Sequence, residues 1–241
     1  MQSIIFAVLG LLAATVGTVA PSIAATLTVS PLRVDLAVNR PTAAVELRNA
    51  GATSTLVQVE TFTWIDGAVT DGLPPADDLL AMPPVFELAP GATQVIRVGL
   101  RRPPEPGVER AYRLVIGEVP SAVEAPPGGL AFVLNLNLPV FVTPANARPA
   151  PEWTARAAAG GGGELRLANA GAAHLALRNL RLADADAPRV LLEVEEPATV
   201  LAGGERRWRF DAGGRPLPRS VRVMADSDGG AVDVVVPLQG G

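Results

Sequence analysis

From Leu130 to Pro144 the chain reads L-A-F-V-L-N-L-N-L-P-V-F-V-T-P, with Leu130, Phe132, Leu134, Leu136 and Leu138 on alternate positions. Successive side chains of a strand point to opposite faces, so these five share one face. Ala131, Val133, Asn135, Asn137 and Pro139 share the other. Helical spacing would scatter the large side chains around a cylinder, so the period of two predicts a strand. The run is long against the usual length of about five or six residues. Two roles fit it. One is a core strand of a β-sandwich. The other is a strand that offers large apolar side chains to a partner chain. Both can hold along different parts of one strand.

Shorter alternating runs flank this one. Thr26–Leu36 alternates but is broken by Pro31, which cannot donate to a ladder and so marks an edge or a switch between sheets. Val45–Arg48 runs into the turn Asn49-Ala50-Gly51, and Leu56–Trp64 alternates again. Asp71–Pro84 is rich in Pro and Asp and predicts a loop. Further strands are predicted at Val85–Leu88, Gln94–Leu100 and Tyr112–Val119, separated by Ala89-Pro90-Gly91 and by Pro103–Pro106. About seven short strands with Pro and Gly turns, and no long helical stretch, predict an all-β sandwich of roughly one hundred residues. The chain then repeats itself weakly: E-L-R-N-A-G at Glu46–Gly51 has an echo in L-R-L-A-N-A-G at Leu165–Gly171. Strands are predicted at Leu175–Leu182, Val190–Val194, Arg207–Phe210, Val221–Met224 and Val232–Pro237, and Ala157–Gly163 reads as a flexible loop. A second, smaller sandwich is therefore expected, with the boundary near Ala145–Pro151, giving domains at 25–145 and 146–241.

Composition narrows the function. Ile4–Val19 is apolar and uncharged and is followed by small residues at Ser22 and Ala24, the pattern of a secretory signal peptide over residues 1–24. An uncleaved anchor is the alternative. The stretch falls short of the ~20 residues a span needs, and Gly10, Gly17 and Pro21 interrupt it. Export is expected. The formal net charge is -4, and the basic pairs Arg101-Arg102 and Arg206-Arg207 are too short for a nucleic-acid patch. Lys is absent, so Arg supplies all the basic charge. Cys is absent too, which excludes disulfides and thiol chemistry. His174 is the only histidine and has no second His or Cys with which to hold a metal, so it is read as structural or solvent-facing. Asp77-Asp78 and Glu193, Glu195 and Glu196 are read as solvated carboxylates. No nucleophile elbow, phosphate loop or dinucleotide fingerprint is present, and Gly160–Gly163 lacks the context of a phosphate loop. No catalytic residue, metal, cofactor or small-molecule substrate is expected.

Six motifs, in order, resemble the periplasmic pilus-assembly chaperones of the chaperone–usher pathway. They are V-S-P-L-R-V at Val29–Val34, L-R-N-A-G at Leu47–Gly51 with the Trp64 strand end, P-P-V-F-E-L-A-P-G at Pro83–Gly91, Q-V-I-R-V at Gln94–Val98, Y-R-L-V-I-G-E-V-P at Tyr112–Pro120, and L-P-V-F-V-T-P at Leu138–Pro144. Each is weak alone; the ordered set is fairly specific and covers about half the chain. The L-P-V-F-V ending resembles the archaic branch of the family.

The resemblance implies two immunoglobulin-like domains in an L or boomerang arrangement. It implies a client, a pilus subunit lacking one strand of its own sandwich, and delivery of that client to an outer-membrane usher as part of fimbrium biogenesis. By donor-strand complementation the last strand of the first domain fills the client's groove, with Leu130, Phe132, Leu134 and Leu136 as its side chains. The family anchors the client's C-terminal carboxylate with two basic residues. Arg33 matches the first. The second, commonly a Lys, falls at Pro139 here, so Arg113 on the neighbouring strand is the candidate replacement and Arg97 a weaker one. The competing expectation is an exported structural or adhesive β-sandwich, itself a surface subunit. Against it, Thr26 leads directly into a strand rather than following a donor extension.

Overall fold

The computed structural model describes residues 27–67, 72–103, 107–119 and 133–240, which form two β-sandwiches connected through residues 143–150; no α-helix occurs among the described residues. In the first, one sheet has the order β1 (Leu27–Ser30), β3 (Thr42–Asn49), β7 (Thr93–Leu100), β5 (Leu79–Met82). The other has the order β2 (Val34–Leu36), β9 (Asn135–Val142), β8 (Arg110–Val119), β4 (Thr55–Thr63), β6 (Val85–Leu88). Val45, Leu47, Ile96 and Val98 from the first sheet meet Val57, Leu114, Ile116 and Val140 from the second in one buried core. Alternation decides which side chains go in: β8 buries Tyr112, Leu114 and Ile116 and turns Arg113 and Val115 to its other face.

Pro31 marks a switch between sheets. Before it, β1 pairs antiparallel with β3; after it, β2 pairs parallel with β9. One strand of the first sandwich is missed by the sequence pattern. Leu79–Met82 lies in the stretch read as a loop, because Pro74, Pro75, Pro83 and Pro84 mask a run of only four residues. Its own alternation is clear in the fold, with Leu79 and Ala81 in the core and Leu80 and Met82 outside. Ala157–Gly163 is likewise no flexible loop. It is a tight hairpin between β10 (Pro151–Ala158) and β11 (Gly162–Asn169), paired up to Ala158 and Gly162, with Gly160 and Gly161 at φ of 95° and 89°.

The second sandwich follows the order β13 (Val190–Val194), β12 (Leu175–Asp184), β16 (Ser220–Ser227), β17 (Gly230–Gln239), β10, β11, β15 (Glu205–Asp211), with β14 (Ala198–Val200) also on β12. Strand β17 joins the halves, antiparallel to β16 and parallel to β10 at Leu238 and Gln239. Leu165, Leu167, Leu177, Leu182, Phe210, Val221 and Val223 fill the core between them.

The sequence echo is one structural device used twice. Asn49 and Asn169 are each 1% exposed. Asn49 Nδ2 donates to Thr53 O and Leu88 O, and its Oδ1 accepts from Gly51 N. Asn169 Nδ2 donates to Ala173 O, Val200 O and Leu201 O, and its Oδ1 accepts from Gly171 N and Ala150 N. Each amide satisfies backbone groups where the turn leaves the ladder, as buried polar groups require. In the second sandwich the device also holds the connecting segment: a Cβ on Gly171 would stand 2.4 Å from both Ala150 N and Arg148 O.

The sandwiches meet through a buried pair. Glu109 Oε1 accepts from the His174 backbone N–H at 2.9 Å and lies 2.8 Å from His174 Nδ1, while Oε2 accepts from Thr143 Oγ1 at 2.6 Å. An ionised carboxylate only accepts, so Nδ1 carries the proton. Burial pushes the Glu109 carboxyl up, but the bonds from His174 and Thr143 and the His174 charge overcome this and hold it below its ordinary 4.5. The His174 ring stacks on Phe141 of β9 at 3.6 Å, so this histidine is structural. Asp66 Oδ2 adds a bond from Glu205 N at 3.0 Å.

Two outcomes follow. Asn49→Ala and Asn169→Ala each strand several buried backbone groups and should cost about 2–3 kcal/mol, Asn169 the more, read as a shift in urea midpoint at unchanged slope. A carboxyl held below its unfolded value contributes stability that is complete above that value and lost as pH falls through the folded one. The stability difference between the parent and Glu109→Gln should therefore be full at neutral pH and shrink once pH drops below 4.5, in thermal unfolding followed across that range.

Candidate functional site

The site is built on β9, which is held differently along its length. On one edge β8 pairs with it from Asn135 to Val142, and a further bond joins Glu118 N to Leu134 O. On the other edge β2 reaches only Val140–Val142. β2 therefore stops short of Asn135–Pro139, a length of about 16 Å. Burial falls along the same direction: Leu138, Val140 and Val142 are in the core, whereas Leu136 and Leu134 are half-buried and pack against its border. All five point the same way, so β9 carries its core-facing row of side chains from the interior of its own sandwich out to the border. Leu130 and Phe132 lie outside the described residues.

The opposite face of β9 carries the charge. Arg113 is the Cα partner of Pro139 on β8. On the other side Val34 is level with Val140, so Arg33, one residue earlier, is level with Pro139. The two arginines flank Pro139 across two strand spacings, roughly 10 Å between backbones. Arg97 is not brought there. It is exposed on β7 of the other sheet, opposite Ala44 and Met82.

The two cations are held differently. Arg33 Nε donates to Asp35 Oδ2 at 3.1 Å, and Nη1 to Asp228 Oδ2 of the second sandwich at 2.6 Å. Arg113 makes no ion pair among the described residues; its guanidinium lies 3.4 Å from the ring centroid of Trp64. Burial pulls Arg113 below its ordinary value, and no carboxylate offsets it. Trp64 in turn leans on Phe141 at 5.8 Å, so Arg113, Trp64, Phe141 and His174 form one continuous contact from the charged face to the junction between sandwiches.

Trp64 and Asp228 are the partners that sequence reasoning left without a role. The Trp64 strand end was visible as a motif. Asp228 sits in a Gly-rich turn that no periodicity marks, and only the meeting of the sandwiches brings it to Arg33. Asp78 also differs from its reading as a solvated carboxylate. It accepts from Arg110 Nη1 at 2.5 Å and from the Tyr112 hydroxyl at 2.8 Å. Burial and that bond push the Tyr112 phenol up to about 12, so it stays a donor. These groups line a cavity of about 410 Å³ together with Leu201 and Ala202 of the second sandwich.

Comparison with solved structures places the architecture. The CsuC–CsuE chaperone–tip adhesion subunit pre-assembly complex from archaic chaperone–usher Csu pili of Acinetobacter baumannii matches over 90% of this chain and 100% of that one, at 20% identity and a TM-score of 0.65. The YadV chaperone matches over 88% of this chain and 99% of its own at 16% identity and a TM-score of 0.62. The Salmonella enterica SafA pilin complex with the SafB chaperone matches over 89% and 98% at 17% identity and a TM-score of 0.61. At these identities the likeness shows the fold. No curated protein matches the sequence. Residues 26–148, just over half of the chain, match the family described as pili and flagellar-assembly chaperone, PapD N-terminal domain, and the chain belongs to that family of chaperones.

Proposed function

We propose that this protein is a periplasmic chaperone that holds a pilus subunit on β9 by donor-strand complementation and passes it to an outer-membrane usher. The observation that carries this is the outer edge of β9 over Asn135–Pro139, which β2 does not reach, with Leu134 and Leu136 half-buried beside it. An open edge attracts other strands and is normally blunted or covered. Here it continues from the buried core and so fits one incoming strand in register: the incoming backbone pairs with β9, while Leu134 and Leu136, preceded by Phe132 and Leu130, enter the client's groove. Each fully buried Leu or Phe contributes about 1.5–3 kcal/mol, against which the ordering of both partners counts.

The charged face supplies the second contact. A half-buried guanidinium without a counter-ion gains from an arriving carboxylate more than an exposed one does, because it has already lost part of its water. Arg113 and Arg33 are placed to receive the client's C-terminus on either side of Pro139. Two of the structural relatives, CsuC–CsuE and SafA–SafB, pair a chaperone with a tip subunit or a pilin, which supports a pilus subunit as client. The apolar segment Ile4–Val19 supports export to the periplasm.

With a pilus subunit from the same genome as client, Leu134→Asp should abolish co-purification and leave thermal unfolding of the chaperone nearly unchanged. Leu138→Asp, at a position 3% exposed, should unfold the first sandwich instead. If Leu134→Asp unfolds the chain, that side chain belongs to the core and its donor role fails.

Arg33→Ala and Arg113→Ala should each weaken capture roughly tenfold, the worth of one charged hydrogen bond. The double variant should lose less than the sum, since both act on one carboxylate. A client with an amidated C-terminus should be insensitive to all three. Equal capture by parent and Arg113→Ala would remove Arg113 from the anchor.

A further inference from the structure

Arg33 and Arg113 flank one position, yet only Arg33 carries carboxylates. Asp35, two residues further on, takes Nε at 3.1 Å; Asp228, from the other sandwich, takes Nη1 at 2.6 Å. The setting of Asp228 is unusual in a specific way. Strands β16 and β17 pair up to Ser227 and Gly230, leaving Asp228-Gly229 as a two-residue turn. An Asp in such a turn often bonds its own backbone. Here Ser227 does that work, its Oγ donating to Gly230 O at 2.6 Å and accepting from Gly229 N at 3.2 Å. The Asp228 carboxylate is thereby left to reach across to Arg33. Its second oxygen lies 3.5 Å from Arg178 Nη2 on β12.

We propose that Asp228 is a built-in stand-in for the client's C-terminal carboxylate, occupying Arg33 in the free chaperone and displaced from it on capture. The proposal rests on the reading of Arg33 as a carboxylate anchor. The exchange replaces one carboxylate by another on the same guanidinium edge. Asp35 keeps Nε throughout, and Nη1 passes from Asp228 to the client. Asp228 then has Arg178 within reach, so neither its charge nor that of Arg33 is abandoned. Stray carboxylates must compete with Asp228 and gain little at Arg33. A client whose strand is already seated on β9 brings its C-terminus at high local concentration and wins the exchange. Capture also removes one of the ties between the sandwiches, while Glu109–His174 and Asp66–Glu205 stay.

The test uses acetate as the carboxylate probe and acetamide as its uncharged control, titrated into the mature chain with ¹⁵N-labelled arginine and followed at the Nε–H signal of Arg33. Asp228→Asn should tighten acetate binding at Arg33 about two- to fivefold, the worth of an exposed ion pair. Asp228→Ser, which also suits the turn, should give the same gain, and acetamide should shift the signal in no variant. If acetate affinity is equal in the parent and both Asp228 variants, while Arg33→Ala abolishes the site as read at the other arginine signals, the stand-in is overturned and the anchor stands. If acetate perturbs those signals identically with and without the Arg33 side chain, the anchor falls and the stand-in with it.

Discussion

Leu138, Val140 and Val142 of β9 are sealed into the first sandwich, and β2 covers its outer edge over Val140–Val142. From Pro139 back to Asn135 the same strand keeps its alternation but loses that outer partner. A row of apolar side chains thus runs without interruption from an interior to a border, and the strand register that fixes one end fixes the other. A slip of one residue would expose Leu138 and Val140 and turn Leu134 and Leu136 away from the edge together. The core therefore sets the geometry of the open segment, and no separate scaffold is needed for it.

Much of this was legible in the sequence because it is local. The period of two from Leu130 to Leu138 assigns the face, and Pro31 announces the change of sheet because its nitrogen cannot donate. The echo around Asn49 and Asn169 was visible as letters; its content, a buried amide satisfying a turn, needed the fold. What the sequence hid is what depends on contact between distant segments. Leu79–Met82 was masked by prolines on both sides. His174 and Glu109 are 65 positions apart and meet only across the junction of the sandwiches. Arg113 could be proposed from its strand, but its lack of a carboxylate and its place over Trp64 are facts of packing. Leu130 and Phe132 lie outside the described residues, so the far part of the donor row rests on the sequence alone.

The junction is a compromise between rigidity and access. Glu109 is fully buried, yet it accepts from a ring nitrogen, a backbone N–H and a hydroxyl, so its charge is distributed over groups from both sandwiches. A buried charge with fewer partners would be a liability. The cleft-side pairs of Arg33 are partly exposed and correspondingly weak. Strong contacts thus lie toward the junction and weak ones toward the open edge, where a partner has to enter.

The ring beneath Arg113 has an optical consequence. The chain has three tryptophans. Trp153 and Trp208 stack on each other at 6.1 Å in the second sandwich, whereas Trp64 stands alone in the first with a guanidinium 3.4 Å from its ring. The excited indole shifts electron density across its rings, so its emission energy responds to a charge held at one face. Each sandwich therefore carries its own fluorophore, one paired and half-buried, the other facing a cation. Neutralising that cation with an anion would change the colour of one without touching the other.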